Sequence, residues 1–152
     1  RALAAALLPL PVSSRLIDQR AIELALAPPG VPVTLTPLPE AEIRAAPPGA
    51  AHVILTHDHA LDFLLATEAL QRGDAAYVGM IGSRTKRVTF ACHAARQGVS
   101  GDALVCPIGA GFPRDKRPEV IAAFTAAEIM ARLLHPAPSR SPERATTICL
   151  TD

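Results

Sequence analysis

The chain has 152 residues, of which 49% are apolar and 3% aromatic, and its formal net charge is +1. This length and composition predict one globular domain with a sizeable core rather than a disordered chain. Because aromatic stacking platforms and a surplus of positive charge are both missing, no nucleic-acid partner is expected.

The cysteines and the apolar segments indicate where in the cell the protein is expected. Cys92, Cys106 and Cys149 form neither a dense disulfide framework nor a CxxC metal motif. A reducing, cytoplasmic location is therefore expected. No stretch approaches the roughly 20 uninterrupted apolar residues of a membrane span, so no membrane partner is expected either.

Apolar, partly β-branched runs alternate along the chain with segments of helical periodicity. In chain order the predicted elements are a helix over 2–8, a strand over 14–17, a turn or short helix over 19–26, a strand over 33–35, a strand over 51–56, a helix over 60–72, a strand over 75–81, a helix over 83–97, a strand over 103–106 and a helix over 118–134. Ser83 and Pro118 are typical of helix starts, whereas Gly73 and Gly98 are typical of helix ends.

The predicted strands are continuous apolar runs, which favours a parallel sheet that is buried on both faces. With the alternation of strands and helices, this predicts an α/β fold with a Rossmann-like doubly wound parallel sheet. We expect a single such domain over residues 1–134. The proline-containing segment 135–152 is expected to be a loosely ordered C-terminal tail.

Ligands of such sheets bind outside the carboxyl ends of the strands. The candidate loops follow Ile17, Thr56, Ile81 and Cys106. The first loop holds Asp18, and in dinucleotide-binding units an acidic residue at this strand end holds a ribose, about 20 residues after a glycine motif. Counting back places that motif before Arg1, so the domain is expected to be N-terminally truncated, without its first strand and glycine loop. Alternatively, Asp18 only caps a turn.

The second candidate loop carries His57, Asp58 and His59. Two histidines and a carboxylate are metal-ligand types, but no third, distant ligand group accompanies them. Asp58 is also a suitable helix N-cap, and Asp62 suits the first-turn dipole. We therefore assign no metal here and expect these side chains to form hydrogen bonds to a ligand.

The third loop opens a helix with cations, although the N-terminus of a helix already carries about half a positive charge. Gly82 and Ser83 precede Arg84, Lys86 and Arg87. Free N–H groups, a hydroxyl and cations together favour an anion-binding site. The alternative is that the cationic side chains extend into solvent.

The fourth loop begins at Cys106 and contains Gly109. Glycine there permits close approach of the backbone to a ligand. Cys106 is either a reactive thiol or a buried strand cysteine.

Several of these segments together resemble the C-terminal Rossmann domain of xanthine dehydrogenase accessory proteins, the XdhC/CoxI family. The matching segments are the predicted strand over 51–56 and the residues Thr56–Asp62 at its end, Tyr77–Arg87, Pro107–Gly109, and two parts of the last predicted helix, Pro118–Ala122 and Ala126–Glu128. Family members are similar in having a GxGHxG loop, which would lie upstream of Arg1. The resemblance implies a molybdenum cofactor chaperone. Such a protein holds molybdopterin while a cysteine desulfurase supplies the terminal sulfur, and then passes it to a molybdenum hydroxylase such as xanthine dehydrogenase.

The resemblance also implies how the cofactor would lie, with its phosphate at Ser83, Arg84 and Lys86, its pterin over Gly82 and Gly109, and its metal end near the histidines. The candidate cofactor-binding residues are Asp18, His57, Asp58, His59, Gly82, Ser83, Arg84, Lys86, Cys106 and Gly109.

No catalytic residue is assigned, because no nucleophile–base–orienter set is evident. Two alternatives remain: an NAD(P)-dependent oxidoreductase, and a sulfur carrier that uses Cys106. A homo-oligomer is expected if a sheet edge is left exposed.

Overall fold

The computed structural model describes residues 1–110 and 115–134, together with the backbone of 147–151. Within these residues the chain forms α1 (Ala2–Leu7), β1 (Ser13–Asp18), α2 (Ala21–Leu24), β2 (Val33–Leu35), α3 (Pro39–Ala45), β3 (Ala51–Ile54), α4 (His59–Arg72), β4 (Tyr77–Met80), α5 (Arg84–Arg96), β5 (Leu104–Val105), α6 (Pro118–Leu134) and β6 (Thr147–Thr151). The predicted α/β class is confirmed.

All six strands form one parallel sheet in the order β2-β1-β6-β3-β4-β5. The usual Rossmann order is 3-2-1-4-5-6. The two orders agree if β6 occupies the central position that the first strand has in the usual order. In the register of this sheet, β6 pairs with β1 on one side and with β3 on the other.

Apolar clusters cover both faces of the sheet, as the continuous apolar strands predict. On one face α1 and α6 pack together, and their cluster includes Leu7, Leu16, Tyr77 and Ile129. On the other face α3, α4 and α5 contribute to a cluster that includes Leu65 and Phe90. The domain is therefore doubly wound.

Local capping signals set most helix boundaries. Pro118 is the first residue of α6. Gly73 and Gly98 end α4 and α5 with φ of 67° and 71°, the left-handed conformation that glycine adopts most easily. The sequence prediction missed α3, although Pro39 at its start and Glu40 and Glu42 in its first turn are typical of a helix N-terminus.

The end of the chain differs from the sequence prediction. A loosely ordered tail is expected over 135–152, but residues 147–151 form β6 at the centre of the sheet. The short run Ile148-Cys149-Leu150 between threonines is compatible with a strand, and its two neighbouring strands supply the pairing that a local pattern cannot reveal. Residues 135–146 and 152 lie outside the described part of the chain. In the part that is described, no helix has the length and hydropathy needed to cross a membrane.

Candidate functional site

Loops from β3, β4 and β5 meet at the carboxyl edge of the sheet, as the parallel topology requires. The Sγ atom of Cys106, after β5, lies 3.8 Å from the carbonyl oxygen of Ser83, after β4. The loop after β1, with Asp18, is separated from the loop after β3 by β6. Strands lie about 4.8 Å apart, so this places Asp18 about 10 Å to the side of the other loops.

Asp62, in the first turn of α4, joins two of these loops. Its side chain is fully buried. One carboxylate oxygen accepts hydrogen bonds from the backbone N–H of Thr56 at 3.1 Å and from the Thr56 hydroxyl at 2.6 Å. The other oxygen accepts from the ammonium group of Lys86, which also donates to the Ile81 carbonyl at 3.0 Å. A buried ion pair therefore ties the loop after β3 to the loop after β4.

The three cations at the start of α5 have three different environments. Lys86 is bound to Asp62 and its side chain is 10% exposed. Arg87 donates to the carbonyl oxygen of Leu104 in β5. Arg84 is exposed and makes no ion pair with any described residue. The unusual charge pattern thus has a structural explanation for Lys86 and Arg87. Both Arg84 and Arg87 are exposed, but Arg84 differs in making no ion pair or side-chain hydrogen bond with any described residue.

The first turn of α5 has the cap that the sequence predicts. The Ser83 hydroxyl accepts a hydrogen bond from the backbone N–H of Lys86 at 3.1 Å. The Arg87 N–H bonds the Ser83 carbonyl. The N–H groups of Arg84 and Thr85, at the first two positions of the helix, are the ones that a helix leaves without an intrahelical acceptor. These N–H groups can bind an anionic oxygen, and Arg84 adds an exposed cationic side chain at the same helix start.

Gly82 is required by its neighbours. A Cβ atom at Gly82 would lie 2.6 Å from Cδ of Lys86 and 3.2 Å from Sγ of Cys106. The absence of a side chain therefore lets Lys86 fold back to Asp62.

Gly109 has φ of 64° and fits against α6, where a Cβ atom would lie 3.2 Å from the carbonyl oxygen of Ile121. Like Gly82, it is needed for packing within the domain whether or not a ligand approaches its backbone.

Cys106 is buried. Burial raises the pKa of its thiol, and the nearby charges of Lys86 and Arg87 partly oppose this shift. The neutral thiol is therefore favoured in this state. The described structure brings Cys106 next to Gly82 and Ser83, as expected for a shared site.

The His57-Asp58-His59 segment is exposed at the same edge. The Asp58 carboxylate accepts from the N–H of Ala60 at 2.8 Å and is the N-cap of α4. The two histidines face solvent and remain available to a ligand. No group of three or more metal-binding side chains occurs in the part of the chain that is described.

Asp18 is buried and is held by Arg20. The Arg20 backbone N–H donates to Asp18 Oδ1 at 2.7 Å, and its guanidinium bonds both carboxylate oxygens at 3.1 and 3.0 Å. A ribose at this position would have to compete with the guanidinium for the carboxylate.

Glu128 of α6 has a structural role to which the sequence analysis assigned no residue. Its carboxylate accepts from the Gly109 N–H and from the Tyr77 hydroxyl, both at 3.0 Å. Burial and the Glu128 charge raise the pKa of Tyr77 well above its usual value, so Tyr77 stays a donor. Glu128 therefore fixes the loop after β5 against the sheet.

The comparisons with known proteins agree with this architecture. A family model described as the XdhC Rossmann domain matches residues 1–129. A solved structure described as a xanthine dehydrogenase from Bacillus halodurans has a TM-score of 0.74 and 17% sequence identity; the match covers 93% of this chain and 41% of that one. At this identity the likeness shows the fold alone, and this chain spans less than half the length of that protein. The comparison with curated proteins gave no match.

Proposed function

The chain belongs to the family of XdhC Rossmann domains, and from this premise we propose that it binds the molybdenum cofactor as a chaperone. It holds molybdopterin while a cysteine desulfurase supplies the terminal sulfur. It then delivers the cofactor to xanthine dehydrogenase or a related molybdenum hydroxylase. The family match over residues 1–129 is the observation that carries this proposal.

The start of α5 supports the binding of an anionic, phosphorylated ligand. Backbone N–H groups at the first turn of a 13-residue helix attract negative charge, and the Arg84 guanidinium adds a charge-assisted donor. The ammonium group of Lys86 is bound to the buried Asp62, which weighs against this role for Lys86. The phosphate-binding group is therefore smaller than the sequence prediction, and it consists of Ser83, Arg84 and the N–H groups of residues 84 and 85.

The residues around this helix start fit the rest of such a ligand. His57 and His59 are exposed on the neighbouring loop and can donate or accept hydrogen bonds. Cys106 lies beneath the Gly82–Ser83 turn. The cofactor itself supplies the molybdenum chemistry of the recipient enzyme, whereas this chain binds it, orients it and gives it up.

Asp62 and Glu128 position the loops and do not contact the ligand in this proposal. Asp62 connects Thr56 to Lys86, and Glu128 connects Gly109 to Tyr77. Because three loops are tied to the scaffold by carboxylates, little of the binding energy is lost in ordering them.

The proposal is tested by identifying what the isolated protein carries. The protein is purified from cells supplied with molybdate, the ligand is released with acid and oxidant, and pterin fluorescence and molybdenum are measured. We expect both signals. Nicotinamide dinucleotide without pterin would contradict the chaperone role.

A pair of arginine variants tests the phosphate-binding group. Arg84→Gln removes the exposed guanidinium at the start of α5, and Arg96→Gln removes one at the end of the same helix. We expect cofactor affinity to fall about tenfold in Arg84→Gln, for the loss of a charge-assisted bond, and to stay unchanged in Arg96→Gln. Equal affinities of the two variants would exclude the start of α5 as the phosphate position.

An NAD(P)-dependent oxidoreductase remains the second candidate, because Asp18 ends a strand beside the central one. The bidentate contact with Arg20 weighs against ribose binding by this carboxylate. Titration with NAD and NADP, followed by calorimetry, distinguishes the two functions.

A sulfur-carrier role of Cys106 is tested by Cys106→Ser, which would abolish delivery of sulfurated cofactor only if that role is correct.

A further inference from the structure

A cavity of about 530 Å³ lies beside β5, on the edge of the sheet. Its lining includes Ala75 and Ala76, which precede β4, and Asp102 and Ala103, which precede β5. These four residues lie at the amino ends of the strands, whereas Arg87 comes from the first turns of α5 and Val105 ends β5, so the cavity runs along the edge of the sheet beside β5. Its volume is in the range of small-molecule sites.

Two arginines line this cavity, Arg87 from α5 and Arg132 from near the end of α6. Among the ten arginines in the described part of the chain, six form ion pairs: Arg1, Arg15, Arg20, Arg44, Arg72 and Arg117. Arg87 and Arg132 belong to the four that form none within these residues. Two of these four described arginines therefore line one cavity.

The Arg87 guanidinium is held in place before any ligand arrives. One of its terminal nitrogens donates to the carbonyl oxygen of Leu104, on the wall of the cavity. A planar guanidinium has further N–H groups, so it can bind a carboxylate while keeping this contact. An arginine that is already ordered loses less entropy when it binds.

The other residues that line the cavity indicate the polarity and the charge of its ligand. Most of the other side chains are small or apolar, among them Ala76, Val78, Ala103 and Val105. Asp102 is the single acid among the described residues of the lining, and its carboxylate accepts a hydrogen bond from the Ser100 hydroxyl at 2.8 Å. Two guanidinium groups and one carboxylate leave a net charge that matches a single negative charge.

We propose that this cavity is a second binding site, which takes an organic monoanion with an apolar body and a carboxylate. The carboxylate contacts the guanidinium groups of Arg87 and Arg132. The apolar body lies against the alanine and valine side chains at the start of β4 and β5. This site does not depend on the proposed cofactor-binding role.

The test uses hexanoate as the probe, with hexanol and inorganic phosphate as comparisons. Each is titrated into the full chain while the backbone amide signals are followed by NMR. We expect hexanoate to shift the signals of Ala76 and Ala103 and to bind at least about tenfold more tightly than hexanol, which lacks the charge-assisted bonds. Equal binding of hexanol, or tighter binding of phosphate, would overturn the proposal, as would no shift with millimolar hexanoate.

Single-residue variants test whether Arg87 and Arg132 bind the hexanoate carboxylate. Arg132→Gln removes an exposed guanidinium, and we expect it to weaken hexanoate binding about tenfold, whereas Arg96→Gln serves as the matched control and leaves binding unchanged. Arg87→Gln should have an effect similar to Arg132→Gln. Because Arg87 also bonds β5, its variant is interpreted only if the amide spectrum remains that of the folded protein. If Arg132→Gln and Arg96→Gln bind hexanoate equally, the proposal fails.

Discussion

Buried polar side chains have hydrogen-bond partners at the carboxyl end of β3, whereas two of those in the interior of the domain have none among the described residues. At the carboxyl end, Asp62 and Thr56 are buried and bonded to each other, and Asp62 also binds Lys86. In the interior, neither imidazole nitrogen of His52 nor the hydroxyl of Thr125 has a hydrogen-bond partner among the described residues. The partnered groups fix loops at the candidate site, whereas the unpartnered groups lower stability.

The largest effect is expected from Asp62→Ala. This change leaves the ammonium of Lys86 in a nearly buried position without its carboxylate, and the free energy of unfolding should fall by about 3–5 kcal/mol. Urea denaturation measures it. As a control, Glu68→Ala breaks the Arg44–Glu68 pair near the surface and should cost less than about 1 kcal/mol.

The double variant Asp62→Leu/Lys86→Met sharpens this first prediction. Replacing both charges with apolar side chains should recover part of the loss, because no uncompensated buried charge remains, although the N–H and hydroxyl of Thr56 still lack their acceptor. A double variant that is as unstable as Asp62→Ala would show that the pair does more than neutralise its own charges.

The second effect concerns His52 and pH. Burial, and next the charge of Arg72, lower the pKa of His52 to about 4, while Asp74 opposes the shift. An unfolded chain binds this proton near pH 6.5, so protons favour unfolding between these two values. The contribution of His52 to stability is complete above about pH 6.5, and about 3 kcal/mol is lost as the pH falls to about 4.

The variant His52→Leu isolates this contribution. Denaturant curves recorded at several pH values should show a shallower loss of stability for the variant than for the unchanged protein between pH about 6.5 and 4. Two parallel pH profiles would mean that His52 finds a partner or solvent in solution.

The third effect compares the same substitution in two environments, beginning with Thr56→Val. It removes the hydroxyl that donates to Asp62 at 2.6 Å, and we expect a loss of about 1.5–3 kcal/mol in the free energy of unfolding, as for a hydrogen bond to a charged group. Thermal and urea unfolding together measure this loss. A change below about 0.5 kcal/mol would mean that the backbone N–H of Thr56 alone satisfies Asp62.

The smallest effect is expected from Thr125→Val. Its hydroxyl is fully buried and has no hydrogen-bond partner in the described part of the chain, so replacing it with a methyl group of similar size should leave stability unchanged or raise it by about 1 kcal/mol. Thr56→Val and Thr125→Val are measured side by side. Equal losses in the two variants would contradict the contrast between the two regions.

Much of the fold follows from local signals, because its strands are apolar runs and its helices have clear ends. The position of Pro118 and the glycines at 73 and 98 define boundaries that the structure confirms. The central strand β6 could not be predicted in this way. Its pairing partners lie more than 90 residues away in sequence, so nothing near residues 147–151 indicates them.

The candidate site was predictable only in outline. Parallel strands bring their loops to one edge, and the loops that hold Ser83 and Cys106 meet there. The pairing of Lys86 with Asp62 is a tertiary contact, so the local sequence around Lys86 does not reveal it. The sequence did contain one indication of this contact. Asp62 is spaced from Leu65, Ala66 and Ala69 as residues on one face of a helix are, and this is the buried face of α4.

The central position of β6 has a consequence for the order of folding. The sheet consists of β2-β1 on one side and β3-β4-β5 on the other, and among the described strands β6 alone connects them. Since synthesis proceeds from the N-terminus, both parts emerge from the ribosome before the strand that joins them. The pairing of β1 with β6 closes a loop of about 130 residues, which predicts slow completion of the sheet. During that interval the facing edges of β1 and β3 are open to strand addition by another polypeptide.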